Sequence, residues 1–522
     1  MKTLFYGGKI LTMEEPLYEE AVLTENGKIL KTGPEAELRA LAGDCEEVNL
    51  RGAVLLPGFI DPHSHFIQTA MSQMQVSLDG ADSAEEMGKR IRAFIAENRM
   101  EPGVLVNARD YDQNLLPGYQ NPTLPELDRM APRNPLIIHH TSGHMGLMNS
   151  AALEKMGITA DTPSPEGGLI EKKDGHLTGY LEENAFINCL RSMPMPSAEE
   201  LMQAVVKAQD KYASYGITTL QDGMVSKEML PLFRAIQKLL KLDVVLYTDE
   251  PAYEQAVKLF GTEPSDSHIK VGGMKIFLDG SPQGRTAWMR QPYEGAEDGY
   301  CGYPTMTDEA VTAAMEKAGD RHTQIIAHCN GDNAAEQFLR CLKEAEKTRP
   351  QLRNLRPVII HGQLMGRDQM PRAAELGAMV SFFIAHVYHW GDVHLRNFGT
   401  ERASHISAAK TALESGVRFT FHQDAPVIEP DMLETLDCAV RRVTKNGVPL
   451  GPEEELTPLE ALRAVTVSGA WQYSEENFKG SLAPGKAADL VILDGDPLTA
   501  PRIRELQVLR TYKNGKCVFC RK

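Results

Sequence analysis

Two histidines one residue apart, His63 and His65, close the run Leu55-Leu56-Pro57-Gly58-Phe59-Ile60-Asp61-Pro62-His63-Ser64-His65. The run begins apolar and is too short for a buried helix, so it reads as a buried strand. Side chains two apart in a strand share a side. Both imidazoles then sit together at the strand's C-terminal end. Such a pair suits a borderline-soft divalent cation such as zinc. The bland alternative is two core histidines bonded to backbone. Other short apolar runs carry or end in polar residues of the same kind. Lys275 lies in Met274-Lys275-Ile276-Phe277, His328 follows Gln324–Ala327, His361 follows Val358–Ile360, and Asp424 follows Phe421-His422-Gln423. Taken singly, Lys275 reads as an edge lysine with its ammonium in water, and His328 or His361 as a satisfied core histidine. Taken together they form a ligand set.

The chemistry of that set is coherent. A charged ammonium beside cations is repelled. A desolvated, neutral Lys275 can instead take up carbon dioxide and become a carbamate, able to bridge two divalent ions. Two ions about 3.5–4 Å apart share a hydroxide and clamp a carbonyl oxygen. His63, His65 and Asp424 would hold one ion, His328 and His361 the other. Asp424 would take the water's proton and pass it to a leaving amine.

Short apolar strands alternating with amphipathic helices must position these residues. After the His-x-His run come strands at 217–220, 244–247, 274–277, 324–328, 358–361, 379–383 and 418–422, eight in all. Helical spacing fills 226–241, 307–319, 333–348, 406–415 and 430–445. Eight βα units in succession predict a (β/α)8 TIM-like barrel, α/β in class, over about 57–483. Such barrels keep their catalytic groups at strand C-terminal ends, where the proposed ligands fall. The two ends of the chain, 1–56 and 484–522, are strand-rich, with Asn-Gly turns at Asn26-Gly27 and Asn514-Gly515. Neither end can bury a core alone, so they are expected to pair into one small β-sandwich. An insert of about 66–200 leaves from the first barrel strand. It has strand candidates at 104–107 and 136–139 and a hairpin near 167–179, and is expected to cover the active site.

Composition sets outer bounds. The chain has 522 residues, a formal net charge of -16 and an ordinary apolar fraction. That acidity argues against nucleic acid and anionic membranes as partners. The first residues lack a signal-peptide pattern, and no apolar run approaches the ~18 residues of a membrane span. Eight scattered cysteines suit a reducing cytoplasm. A small-molecule substrate and a homodimer are the expected partners.

The run Pro57-Gly58-Phe59-Ile60-Asp61-Pro62-His63-Ser64-His65 resembles the signature of the amidohydrolase superfamily. The order His-x-His, Lys, His, His, Asp resembles its metal pattern. Lys275-x-x-x-Asp279-Gly280-Ser281 resembles amidohydrolase family 3, the branch of formamide-deformylase-like hydrolases. So do Gly143-His144 with Asn149-Ser150, the large insert, and Phe382-Phe383 with Tyr388-His389-Trp390-Gly391-Asp392. Gly480-Ser481-Leu482-Ala483-Pro484-Gly485-Lys486 resembles the superfamily's return to its sandwich. The chain departs at His422-Gln423 before Asp424, where relatives often have Gly-Ser, and at Cys329-Asn330 after His328.

The resemblance implies a metal-dependent hydrolase of a non-peptide C–N bond, with a metal-bound hydroxide as nucleophile and Asp424 as proton shuttle. The expected cofactor is one or two divalent ions, zinc by donor type, with a carbamate on Lys275. Candidates for substrate binding are His144 and the Arg109–Asp112 turn of the insert, Asp279 and Arg285 after the lysine strand, and the aromatic wall of Phe383, Tyr388 and Trp390. Asp332 reads as a helix cap. A single-metal deaminase on the same fold and a non-catalytic barrel protein remain alternatives. Lys275 counts against the first and the complete ligand set against the second.

Overall fold

The computed structural model describes residues 2–522 apart from 141–144, 166–167 and 193–195. Met1–Thr69 with Val206–Lys522 form one compact unit and Ala70–Val205 another.

The first unit is built on eight parallel strands: β1 (Phe59–Ile60), β2 (Ile217–Val225), β3 (Asp243–Thr248), β4 (Ile269–Phe277), β5 (Gln324–Cys329), β6 (Val358–His361), β7 (Met379–Phe382) and β8 (Phe419–Phe421). Each pairs with the next in sequence order. Helices such as Leu230–Ile236, Asp308–Asp320, Asp332–Glu346, Ala409–Glu414 and Met432–Arg441 return the chain between strands. Sequence, strand order and crossovers make this a TIM-like (β/α)8 barrel. β1 and β8 share no ladder. Their ends meet through the His65 N–H, which donates to the Ala425 carbonyl at 2.9 Å.

One apolar cluster joins several of the barrel strands. Ile60, Val245, Ile326, Val358, Ile360 and Met379 pack there with Tyr247 and Tyr473. Side chains at the C-terminal end of the helix Val467–Gln472 also reach the ligand-bearing segment. Tyr473 Oη donates to the Asp61 carbonyl at 2.9 Å and Gln472 Nε2 to the Pro62 carbonyl at 2.9 Å. Below them lies a buried ion network. Asp243 Oδ2 accepts from both Lys479 and Lys513, while His268 Nδ1 lies 2.7 Å from Oδ1. Lys513 also meets Asp489 at 2.6 Å, Lys479 meets Glu475 at 3.0 Å, and Lys270 meets Glu475 at 2.8 Å.

One element differs from the sequence reading. The run before His63 is two strands, not one. Val54–Pro57 pairs antiparallel with Leu490–Leu493, and only Phe59–Ile60 joins the barrel. Gly58 is the pivot between the two sheets: a Cβ there would meet Thr218 Cγ2 at 2.4 Å, so only glycine lets the backbone pass.

The terminal segments form two sheets, and the second of them combines strands from both ends of the sequence. One holds Lys2–Tyr6, Ala21–Glu25, Lys28–Gly33 and Glu46–Asn49. The other runs in the order 516–520, 508–513, 490–493, 54–57, 9–11, 18–19. Phe5, Val22, Ile29 and Val48 of the first pack with Ile10, Leu55, Leu490, Ile492 and Tyr512 of the second.

The second unit has its own six-stranded sheet, ordered 168–173, 176–183, 145–148, 136–140, 106–111, 75–77. Val106, Ala108, Leu136 and Ile138 face one apolar cluster, and Ile137, Met148, Leu181 and Phe186 another. Among the described residues no helix is long and apolar enough to cross a membrane.

Candidate metal centre at the strand ends

Six proposed ligands come from five barrel strands and the segments that follow them. Lys275 is in β4, His328 in β5 and His361 ends β6, while His63 and His65 follow β1 and Asp424 follows β8. The structure brings them together. His63 Nε2 and His65 Nε2 each lie 3.4 Å from Asp424 Oδ1. Lys275 Nζ is 3.0 Å from His63 Nε2. His361 Nε2 lies 3.1 Å from His328 Nδ1 and 4.0 Å from Asp424 Oδ2. One donor atom from each of His63, His361 and Asp424 falls within 4.8 Å of the others.

Local backbone serves this convergence. His361 has φ +74° and Asp424 φ +54°, both in the left-handed region that costs a non-glycine residue energy. The Lys275 side chain is buried, so an edge lysine in water is excluded.

Electrostatics favour neutral imidazoles around one carboxylate. Burial, then the nearby Lys275, holds His63 well below the usual histidine range. Burial, then His328, does the same for His361, and burial with Lys275 takes His328 down to about 4. These rings keep a lone pair at neutral pH. Burial alone would raise Asp424, but contact with His65 and then His361 and His422 holds it well below the usual carboxylate range. Burial pushes Lys275 down to about 8 against the opposing pull of Asp424 and Asp222. A lysine in that range is neutral often enough to accept carbon dioxide.

Does this donor set fit a cation? Asp424 Oδ1 is buried and has no hydrogen-bond partner, yet two imidazole nitrogens stand at 3.4 Å from it. An uncompensated buried carboxylate oxygen facing lone pairs is unfavourable on its own and favourable around a divalent ion. The residues fit. His63, His65, His361, His328 and Asp424 would hold the metal, with Lys275 beside His63.

Several supporting residues escaped the sequence reading. Gln221 Oε1 lies 2.5 Å from His63 Nδ1, and its Nε2 donates to the Pro62 carbonyl at 2.8 Å. An amide oxygen only accepts, so it fixes the proton on Nδ1 and frees Nε2. Asp222 bridges the same region. Its Oδ2 accepts the Ile67 N–H at 2.8 Å, and burial pushes its carboxyl up to about 6. His328 Nε2 faces both the Asn330 amide nitrogen at 3.0 Å and the Gly280 carbonyl at 3.2 Å, and Nδ1 is the nitrogen turned toward His361. His422 is fully buried among these rings, 5.1 Å between centroids from both His63 and His361. The signal that would have found Gln221 and Asp222 is a pair of polar side chains directly after the apolar start of the second barrel strand.

The remaining candidates divide. Asp279 is buried, and its two oxygens accept the backbone N–H groups of Trp288, Asn330 and Gly331 at 2.9, 2.9 and 2.7 Å. It organises the loops after β4 and β5, with its hydrogen-bonding capacity spent there. Arg285 Nη2 donates to the Glu294 carbonyl at 2.8 Å and its guanidinium lies over Tyr293, which makes it a loop residue. Asp332 is not the cap: Gly331 occupies that position, and Asp332 accepts the Arg290 N–H at 2.7 Å. Phe383 does stand at the cluster, its ring 5.4 Å from His422 and 6.3 Å from His361. Trp390 packs on Phe383 and on His386. Tyr388 lies under the guanidinium of Arg504, on the outer side of the same apolar group. His144 lies outside the described residues. Arg109 pairs with Asp110 in the strand Val106–Tyr111 of the insert.

The comparisons agree with this architecture. The profile of the amidohydrolase family matches residues 46–519. The chain is 28% identical over 541 residues to the putative amidohydrolase YtcJ of Bacillus subtilis, covering 99% of each. It is 30% identical over 521 residues to the N-substituted formamide deformylase of Arthrobacter pascens, covering 95% of this chain and 94% of that one. An uncharacterised metal-dependent hydrolase from Pyrococcus horikoshii OT3 has the same fold, with a TM-score of 0.78 at 23% identity over 97% of this chain and 99% of that one. A barrel of this order, carrying this set of histidines, lysine and aspartate over a profile match of nearly its whole length, belongs to the amidohydrolase family.

Proposed function

We propose that the chain is a metal-dependent hydrolase that cleaves a non-peptide C–N bond, of amide or formamide type, in a small molecule. The observation that carries this is the orphaned Asp424 Oδ1 between two neutral-capable imidazoles, with buried Lys275 alongside. A divalent cation held there, zinc by the softness of the donors, would polarise a carbonyl and activate water. The protein's own groups would do the rest. Asp424, held as a carboxylate and turned to the metal through Oδ1, would accept a proton at Oδ2 and return it to a leaving nitrogen. Phe383 and Trp390 supply an apolar wall that keeps bulk water from the reacting atoms. The resemblance to an N-substituted formamide deformylase supports an N-substituted amide, and the wall of Phe383 and Trp390 suits an apolar substituent.

Several finer readings belong with this proposal. Lys275 carries a carbamate. The two sheets built from the terminal segments make up a composite β-sandwich, a reading supported by their common apolar cluster. The insert supplies substrate-recognising groups. A reducing, cytoplasmic setting goes with eight cysteines scattered through a long chain.

The test is hydrolysis of a panel of N-formyl and N-acyl amides by purified protein, with zinc and bicarbonate supplied and amine release measured. Turnover of at least one member, abolished by a chelator and restored by zinc, is the expected result. Protein that is folded but retains no divalent metal refutes the reading. So does metal-loaded protein that releases ammonia from a cyclic amidine while leaving every amide intact.

A further inference from the structure

His361 is addressed on both ring nitrogens. Its Nε2 points into the donor cluster, 3.1 Å from His328 Nδ1. Its Nδ1 faces His422 Nε2 at 3.2 Å, and His422 Nδ1 in turn faces Ser381 Oγ at 2.9 Å. Neither His422 nor Ser381 is exposed, so water does not compete for these bonds. Only one arrangement of protons leaves His361 Nε2 bare for a metal. Nδ1–H of His361 donates to His422 Nε2, and Nδ1–H of His422 donates to the serine oxygen. The row is set by the frame as well: Ser381 lies in β7, His361 ends β6, and His422 follows β8.

We propose that His422, anchored by Ser381, is a positioning residue that fixes the tautomer and ring plane of His361 and so sets the affinity of the metal held there. This rests on the metal-dependent reading above. The position is informative because the Gly-Ser pair that the family resemblance leads one to expect just before Asp424 has no ring to reach His361. Here the second imidazole does for His361 what the Gln221 amide does for His63. A hydrogen-bond partner of this kind typically changes metal affinity by about 10–100-fold. Orientation rather than volume is the mechanism, so the shape of the replacement matters less than whether it can accept a proton from His361.

The test measures zinc affinity, by competition with a chromophoric chelator, on the full chain and on Ser381→Ala, His422→Leu and His422→Gln. Far-UV circular dichroism and melting temperature check the fold of the metal-free forms. His422→Leu is expected to weaken zinc by about 10–100-fold. His422→Gln, whose amide oxygen still reaches toward His361, should recover part of that loss, and Ser381→Ala should lose less than His422→Leu. Should His422→Leu fail to fold, the other two variants carry the comparison. Wild-type affinity in every folded variant overturns the proposal. Equal losses in His422→Leu and His422→Gln overturn it too, since packing rather than a hydrogen bond would then be responsible. A wild-type protein that binds no zinc at all would instead remove the metal-dependent reading itself.

Discussion

Replacing Asp243 by asparagine should destabilise the barrel by several kilocalories without touching the site. The structure sets the magnitude. Three ammonium groups, Lys270, Lys479 and Lys513, face three carboxylates, Asp243, Glu475 and Asp489. The side chains of Lys479 and Lys513 are only 4% and 3% exposed, and Asp243 serves both. Asparagine keeps the size and leaves one buried positive charge uncompensated, which costs about 3–5 kcal/mol. With about 2.1 cal/mol/K per residue and a cooperative unit on the order of 400 residues, the melting temperature should fall by roughly 4–6 °C. The pH dependence follows from the sign of the shift. Lys479 and Lys513 hold the Asp243 carboxyl well below its usual range, although burial opposes them. An acid with a depressed folded pKa stabilises above its unfolded value, near 3.9, and loses that contribution as pH falls through the folded value. Thermal melts across pH should therefore show a flat gap between wild type and Asp243→Asn from about pH 6 to 8, closing only below about pH 4. Adding Lys513→Met, which restores charge balance, should return part of the loss. A gap under about 1 kcal/mol at pH 7, or one that does not narrow at all as pH falls from about 4 to about 2, would refute the argument.

The other predictions concern catalysis. Asp424→Asn or His63→Ala should lower kcat by at least about 10²–10⁴-fold while leaving the far-UV spectrum intact, because both residues stand beyond the packed strands. A collapsed spectrum would mark them as structural instead. Lys275, pushed down to about 8 by burial, is mostly ammonium below that pH and mostly amine above it. Reactivation of stripped protein by zinc and bicarbonate should accordingly speed up as pH rises through about 8, and mass spectrometry under mild conditions should find added carbon dioxide on Lys275 but not in Lys275→Ala. A pH-independent reactivation rate would detach Lys275 from that step.

The parts of the site that were legible in the sequence share one property: each is a polar residue ending or following a short apolar run. His63, His65, Lys275, His328, His361 and Asp424 were found that way, as were the eight barrel strands that carry them. Gln221 and Asp222 follow the same rule, but the strand read as ending at Leu220 runs on to Val225, which places both residues inside it. His422 looked like a departure from a motif because its meaning lies in His361 and Ser381, on other strands. The ion network is hidden for a like reason. Asp243, Lys479 and Lys513 are far apart in sequence and each resembles a surface charge until the fold brings them together. The split of the first apolar run at Gly58 was invisible as well, since both halves have the composition of a buried strand and only the close approach of Thr218 distinguishes them.

The pairing of Val54–Pro57 with Leu490–Leu493 has a consequence for how the chain is made. The segment that delivers His63 and His65 leaves the ribosome early, but its sheet neighbour emerges more than four hundred residues later, Leu55 facing Ile492 and Pro57 facing Leu490. Until then the strand keeps an open, apolar edge, and the Gly58 N–H lacks the Asp489 carbonyl that receives it in the finished protein. Contacts of such long sequence separation form slowly, and exposed strand edges invite pairing with other chains. The last strands of the sequence therefore act as a latch on the first ligands, so that a nascent chain stalled before residue 490 presents its two leading histidines from an unfinished sheet.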